Sequence, residues 1–288
     1  MKADGVQGAG MRRGLWVAMA AVVMTTVGCE SGEGLVIEGE APATVYDGPM
    51  NVPTEELDEH TPRALRLVSG AAGRALECAG EIHNGNGPDG WSEDDGGDGP
   101  EEGLELYFDL FDPGEPRSGY RVERREADRV LYSYDVGGRT KVAVVVAKDQ
   151  KGRPGWGPET SASCDPSELP AAWTASHGYE IWTDRAGERV PTSEVSSRPG
   201  DDHCGWSEVH FLDLGGREYA RDPESLLEPG VLTASYDGSA TLPPDARDTG
   251  YRYEERELWL ADDSRSAYVR TPQGVEAWPL LGEEVACM

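Results

Sequence analysis

Gly119-Tyr120-Arg121-Val122-Glu123-Arg124-Arg125-Glu126 and Gly250-Tyr251-Arg252-Tyr253-Glu254-Glu255-Arg256-Glu257 agree at six of eight positions. Each block sits between two cysteines. Cys78 lies 41 residues before the first block and Cys204 lies 46 before the second, while Cys164 and Cys287 follow by 45 and 37. The two cysteine pairs therefore span 86 and 83 residues. A duplicated module, each copy closed by its own bridge, accounts for this spacing. Of the three pairings that four cysteines allow, it predicts Cys78–Cys164 and Cys204–Cys287. No two cysteines are spaced C-x2-C, so the pattern assigns no metal.

Outward from the first block, strands are predicted over 120–126, 129–136 and 139–147, with Gly137-Gly138 as a turn and Val142 to Val146 as a buried run. The block's Tyr and Glu are expected on one face and its Arg on the other, with the ring packed on a helix. Thr61-Pro62 opens a helix that ends near Cys78. Leu104, Tyr107, Phe108 and Phe111 recur at helical spacing, and the polar tract 84–103 between them reads as a mobile acidic loop. Around the second block, strands are expected over 252–261, 266–270 and 275–280, with Asp165-Pro166-Ser167-Glu168 and Asp222-Pro223-Glu224 as helix starts. The fold class is α+β: two similar small domains, 54–164 and 165–288, each an antiparallel meander with short helices, stapled by a disulfide.

Staples suit the composition. Leu, Ile, Val and Phe make up only ~17% of the chain, under the roughly 20% associated with a sufficient core. Eight Trp and eleven Tyr compensate in part. The net charge of −28 excludes a nucleic-acid partner, which requires a positive surface.

At the N-terminus, Arg12-Arg13 precedes an apolar run from Leu15 to Val23, too short to span a bilayer. Met11 is a second plausible start. Thr26-Val27-Gly28-Cys29 resembles the lipobox of bacterial lipoproteins. That resemblance implies cleavage of the signal peptide 1–28 and a diacylglycerol thioether on Cys29. The expected location is the cell envelope, outside the cytoplasm, with the lipid as the contact to the membrane. Residues 29–53, rich in Gly, Glu, Pro and Ala, read as a flexible tether.

Candidate chemistry is sparse. Asp201-Asp202-His203-Cys204 with His210 is the sharpest polar cluster, and alternation along a strand would separate His203 from His210. The tract Asp89, Glu93, Asp94, Asp95, Asp98 lacks the spacing of a calcium loop. G-x-S-x-G, H-E-x-x-H and the phosphate loop are absent, and no cofactor is implied. The segment Gly119 to Asp135, together with His203-Cys204-Gly205-Trp206, Tyr219 to Pro223 and Val275 to Pro279, resembles a group of actinobacterial secreted proteins and lipoproteins. No activity attaches to that group, so the resemblance implies lineage and location and carries over no catalytic residues. The functional expectation is a lipid-anchored, non-enzymatic binding or surface module with an envelope partner or ligand. The alternatives are an envelope hydrolase using carboxylates and His210 in an inter-domain cleft, and a structural or regulatory partner of a membrane complex.

Overall fold

The computed structural model describes residues 36–37, 45–55, 57, 61–88, 91–111 and 117–282. Cys29, the signal segment and Cys287 lie outside them. A short strand β1 (Val36–Ile37) comes first. Helix α1 (Pro62–Val68) starts as the sequence predicts: the Thr61 side chain accepts from the N–H of Ala64 at 3.2 Å, and Pro62 fills a first-turn position that needs no donor. The helix stops early because the Ser69 hydroxyl donates back to the Leu65 carbonyl at 2.6 Å and Gly70 turns left-handed at φ 50°. A second helix, α2 (Gly70–Ala75), takes over.

Strand β2 (Ile82–Asn86) and helix α3 (Pro100–Leu110) follow. The tract between them is anchored. Trp91 is buried and its Nε1 donates to the Pro158 carbonyl at 3.1 Å, and Gly97 bridges Trp156. The expectation of a mobile loop over 84–103 is therefore corrected: one buried indole and a backbone bridge hold it.

The first block lies in β3 (Ser118–Arg125), which leads into β4 (Arg129–Val136), β5 (Arg139–Gln150) and β6 (Arg153–Cys164). The six-stranded order is β1-β3-β4-β5-β6-β2, antiparallel except for the β1–β3 pair. Residues 140–147 of β5 are all buried, because helices cover both faces. Val142, Val144 and Val146 pack with Leu104 and Phe108 of α3, and Ala143 and Val145 pack with Ala71 and Ala72 of α2. Tyr120 meets Phe108 edge-on at 5.3 Å, as expected of a ring packed on a helix. Arg121 and Glu123, two residues apart, share the opposite face and form a 2.7 Å ion pair, so the expected grouping of Tyr with Glu is wrong.

The reading of 29–53 as a tether is also corrected at its C-terminal end. Met50 is 2% exposed in the α2 core, the Tyr46 N–H donates to Glu123 Oε1 at 2.7 Å, and Arg124 Nη1 donates to the Gly48 carbonyl at 2.6 Å. Met50→Ala should cost about 2–3 kcal/mol, measured by denaturant unfolding; an unchanged midpoint would return the segment to the role of a linker.

After Cys164 come a 3-10 turn (Pro166–Glu168) and helix α4 (Ala171–Ser176), which ends before Gly178 at φ 70°. Then β7 (Val195–Pro199), β8 (His210–Leu214) and β9 (Glu218–Arg221) form a three-stranded antiparallel sheet. Strands β10 (Arg247–Tyr253), β11 (Arg256–Leu260), β12 (Ser266–Thr271) and β13 (Gly274–Pro279) form a four-stranded meander. The two sheets pack over a core of Val195, Leu212, Tyr219, Leu258, Val269 and Trp278. The helix expected from Asp222 is a turn instead, with the Asp222 carboxylate accepting from the N–H groups of Leu226 and Leu227.

The class is thus mixed, with few helices and mostly antiparallel sheets. Both repeated blocks do open a four-stranded meander, but they are used differently. Glu123 continues its strand, whereas Glu254 turns left-handed at φ 51° and starts the β10–β11 hairpin. The surroundings differ as well: helices flank the first meander and a sheet covers the second. The described residues from Val36 onward fall in one compact unit, and the expected pair of similar domains with a boundary at 165 is not confirmed. Across that expected boundary, Glu168 accepts from the N–H groups of Ala79 and Gly80 and from Lys141.

Candidate functional site

The site follows from alternation in the C-terminal sheets. Two residues from an apolar core position, toward the same end of the sandwich, most strands place a polar one. Val195 gives way to Ser197, Leu212 to His210, Tyr219 to Arg221, Leu258 to Arg256, Val269 to Thr271 and Trp278 to Glu276. Cross-strand register sets His210 opposite Arg221, while Ser197 lies one step deeper, opposite the core residue Leu212. The result is a polar mouth between the sheets, a pocket of about 370 Å³ lined by Glu180, His210, Arg221, Arg256, Glu276 and Trp278 among others.

Glu180 is the hub. Its segment bridges Ser197 backbone to backbone, which points the carboxylate into the mouth. Oε1 lies 2.7 Å from Arg256 Nη2 and 3.3 Å from His210 Nε2. Oε2 accepts from the Ser197 hydroxyl, whose oxygen in turn accepts from Trp182 Nε1 at 2.9 Å. Burial alone would push the carboxyl up. The donors His210, Arg256 and Ser197 outweigh it and hold Glu180 down at about 2. Arg256 also stacks over Tyr253, 4.5 Å from the ring centroid. Beside this hub, Glu276 accepts from Arg221 Nε at 3.2 Å and from Trp278 Nε1 at 2.9 Å.

His210, singled out by the sequence, meets one carboxylate, Glu180, within the C-terminal sandwich. Its companions are not those next to it in sequence. Asp202–Cys204 is a 3-10 turn and His203 is exposed, so the cluster 201–204 does not join His210. Glu180 and Arg256 escaped sequence reasoning, although the apolar-to-polar step along each strand was a usable signal.

Of the cysteines, Cys78 and Cys164 are joined, with Cα atoms 5.4 Å apart. Cys204 is also disulfide-bonded. Among the described residues, the set of metal-type ligand atoms within mutual reach is Cys78, Cys164 and Glu168. Its sulfurs bond each other, and Glu168 is paired with Lys141 at 2.6 Å, so it offers no metal centre. No helix among the described residues is long and apolar enough to cross a membrane.

No protein-family model, curated protein or solved structure matches this chain.

Proposed function

We propose that this chain is a lipid-anchored envelope protein whose folded body binds a partner or ligand without turning it over, the Glu180 mouth being a rigid recognition surface. The observation that carries this reading is the saturation of Glu180: its donors hold it ionised at about 2. A general acid or base works best near the operating pH, and this carboxylate lies far below neutrality. Glu276 is likewise engaged by Arg221 and Trp278. The Cys78–Cys164 bond supports export to an oxidising compartment. With lipid on Cys29, the partner of Cys204 is Cys287, which closes the second half.

The hydrolase reading keeps one favourable observation, the 3.3 Å contact of His210 with Glu180, which resembles a base held by its orienting carboxylate. Intact mass of the detergent-extracted protein, before and after reduction, tests the anchor. The expected species begins at a diacylated Cys29 and gains four hydrogens on reduction. An unlipidated Cys29, or turnover in esterase, glycosidase and peptidase panels that His210→Ala abolishes, would overturn the proposal.

A further inference from the structure

We propose that a second pocket, formed by β2, β6 and the segment after α4, binds one ring of a neutral saccharide. It encloses about 300 Å³, the lower end of the range for small-ligand sites. Charged residues make up 28% of the chain, yet among the described residues no Asp, Glu, Lys or Arg lines this pocket. In so acidic a protein, a pocket without either sign of charge suits an uncharged ligand.

What lines it instead is hydroxyl, amide, imidazole and aromatic surface. The Ser161 hydroxyl, 4% exposed by residue, accepts from Asn86 Nδ2 at 3.2 Å, which leaves its proton to donate. The Asn84 side-chain oxygen accepts from the N–H of Gly85 at 2.8 Å, which leaves its amide hydrogens for a ligand. His83 Nε2 lies 3.1 Å from the Tyr179 hydroxyl. Burial, with His177 assisting, keeps the His83 imidazole below its ordinary value against the pull of Asp165, so at neutral pH it stays uncharged and can both donate and accept. Tyr107, Trp173 and Tyr179 add aromatic surface. Mixed donors and acceptors beside aromatic rings complement a sugar, whose hydroxyls do both and whose C–H faces are apolar. His83 also lines an adjoining cleft of about 840 Å³, so a chain longer than one ring can continue from the pocket.

The site is separate from the Glu180 mouth and independent of the lipid; its failure would leave the Glu180 reading standing. The test titrates the full chain with maltotriose, cellotriose and chitotriose, with trigalacturonate as the charged counterpart, followed by calorimetry. Saturable binding of at least one neutral trimer is expected, with trigalacturonate about tenfold weaker or more. Ser161→Ala and, at an exposed position where folding is not at risk, Asn84→Asp should each weaken binding about tenfold. Absence of saturable binding by all three neutral trimers, equal binding of trigalacturonate, or unchanged affinity in Asn84→Asp would overturn the inference.

Discussion

Glu180→Ala at pH 7 is expected to lower the unfolding free energy by about 3–5 kcal/mol, the range for removing one partner of a buried ion pair. The substitution strands Arg256, whose side chain is 21% exposed, and leaves the buried Ser197 hydroxyl without its acceptor. The effect should depend on pH in a defined direction. Glu180 is held at about 2 against an ordinary 4.5. A carboxylate with a depressed folded value contributes stability that is fully present above about pH 4.5 and lost as the pH falls toward 2. That gap corresponds to ~3 kcal/mol, an upper figure because the side chain is still 15% exposed. Denaturant unfolding of both proteins at pH 7 and near pH 2 should therefore show their difference shrinking by most of that amount. A difference equal at both pH values would mean that Glu180 acts through packing rather than charge.

Joint replacement of Cys78 and Cys164 by serine is expected to cost about 4–5 kcal/mol in the chain-entropy treatment, since the closed loop spans 86 residues. This is the scale of a small protein's net stability. The loop holds all of α3, β3, β4 and β5, so opening it releases the central strands of the six-stranded sheet. Unfolding of the double variant should show a much lower midpoint and a somewhat steeper slope, because the uncrosslinked denatured chain exposes more surface. A loss below about 1 kcal/mol would show that the helix-covered sheet is self-sufficient despite its few aliphatic residues.

Local chemistry was legible in the sequence where it acts alone. The Thr61-Pro62 cap, the Val142–Val146 run and the helical spacing of Leu104, Tyr107 and Phe108 all rest on neighbours in the chain. The Cys78–Cys164 bond was legible through the spacing of the repeated block. β6 was not, because Pro154, Gly155, Gly157 and Pro158 all count against a strand. It forms anyway, since β5 supplies a long partner and a register shift falls at Val145/Val146, where Pro158 is paired. Trp91 lay hidden in a tract whose acidic composition suggested solvent. The repeat itself overstated similarity: one Glu continues a strand and its counterpart turns. At the polar mouth, His210 stood out by residue type, but Glu180 is thirty residues away and reaches it only through the Glu180–Ser197 bridge and the pairing of β7 with β8. Such contacts depend on register, which a single strand's pattern does not reveal.

The reading of the mouth as a recognition surface stands on a carboxylate that stays charged through the acid range. An NMR titration of the Glu180 side-chain carboxyl carbon, assigned by comparison with Glu180→Gln, measures this directly. A midpoint at about 2 is expected; a midpoint in the ordinary carboxylate range, near 4–5, would show that His210, Arg256 and Ser197 do not hold the charge, and the account of the site would fail.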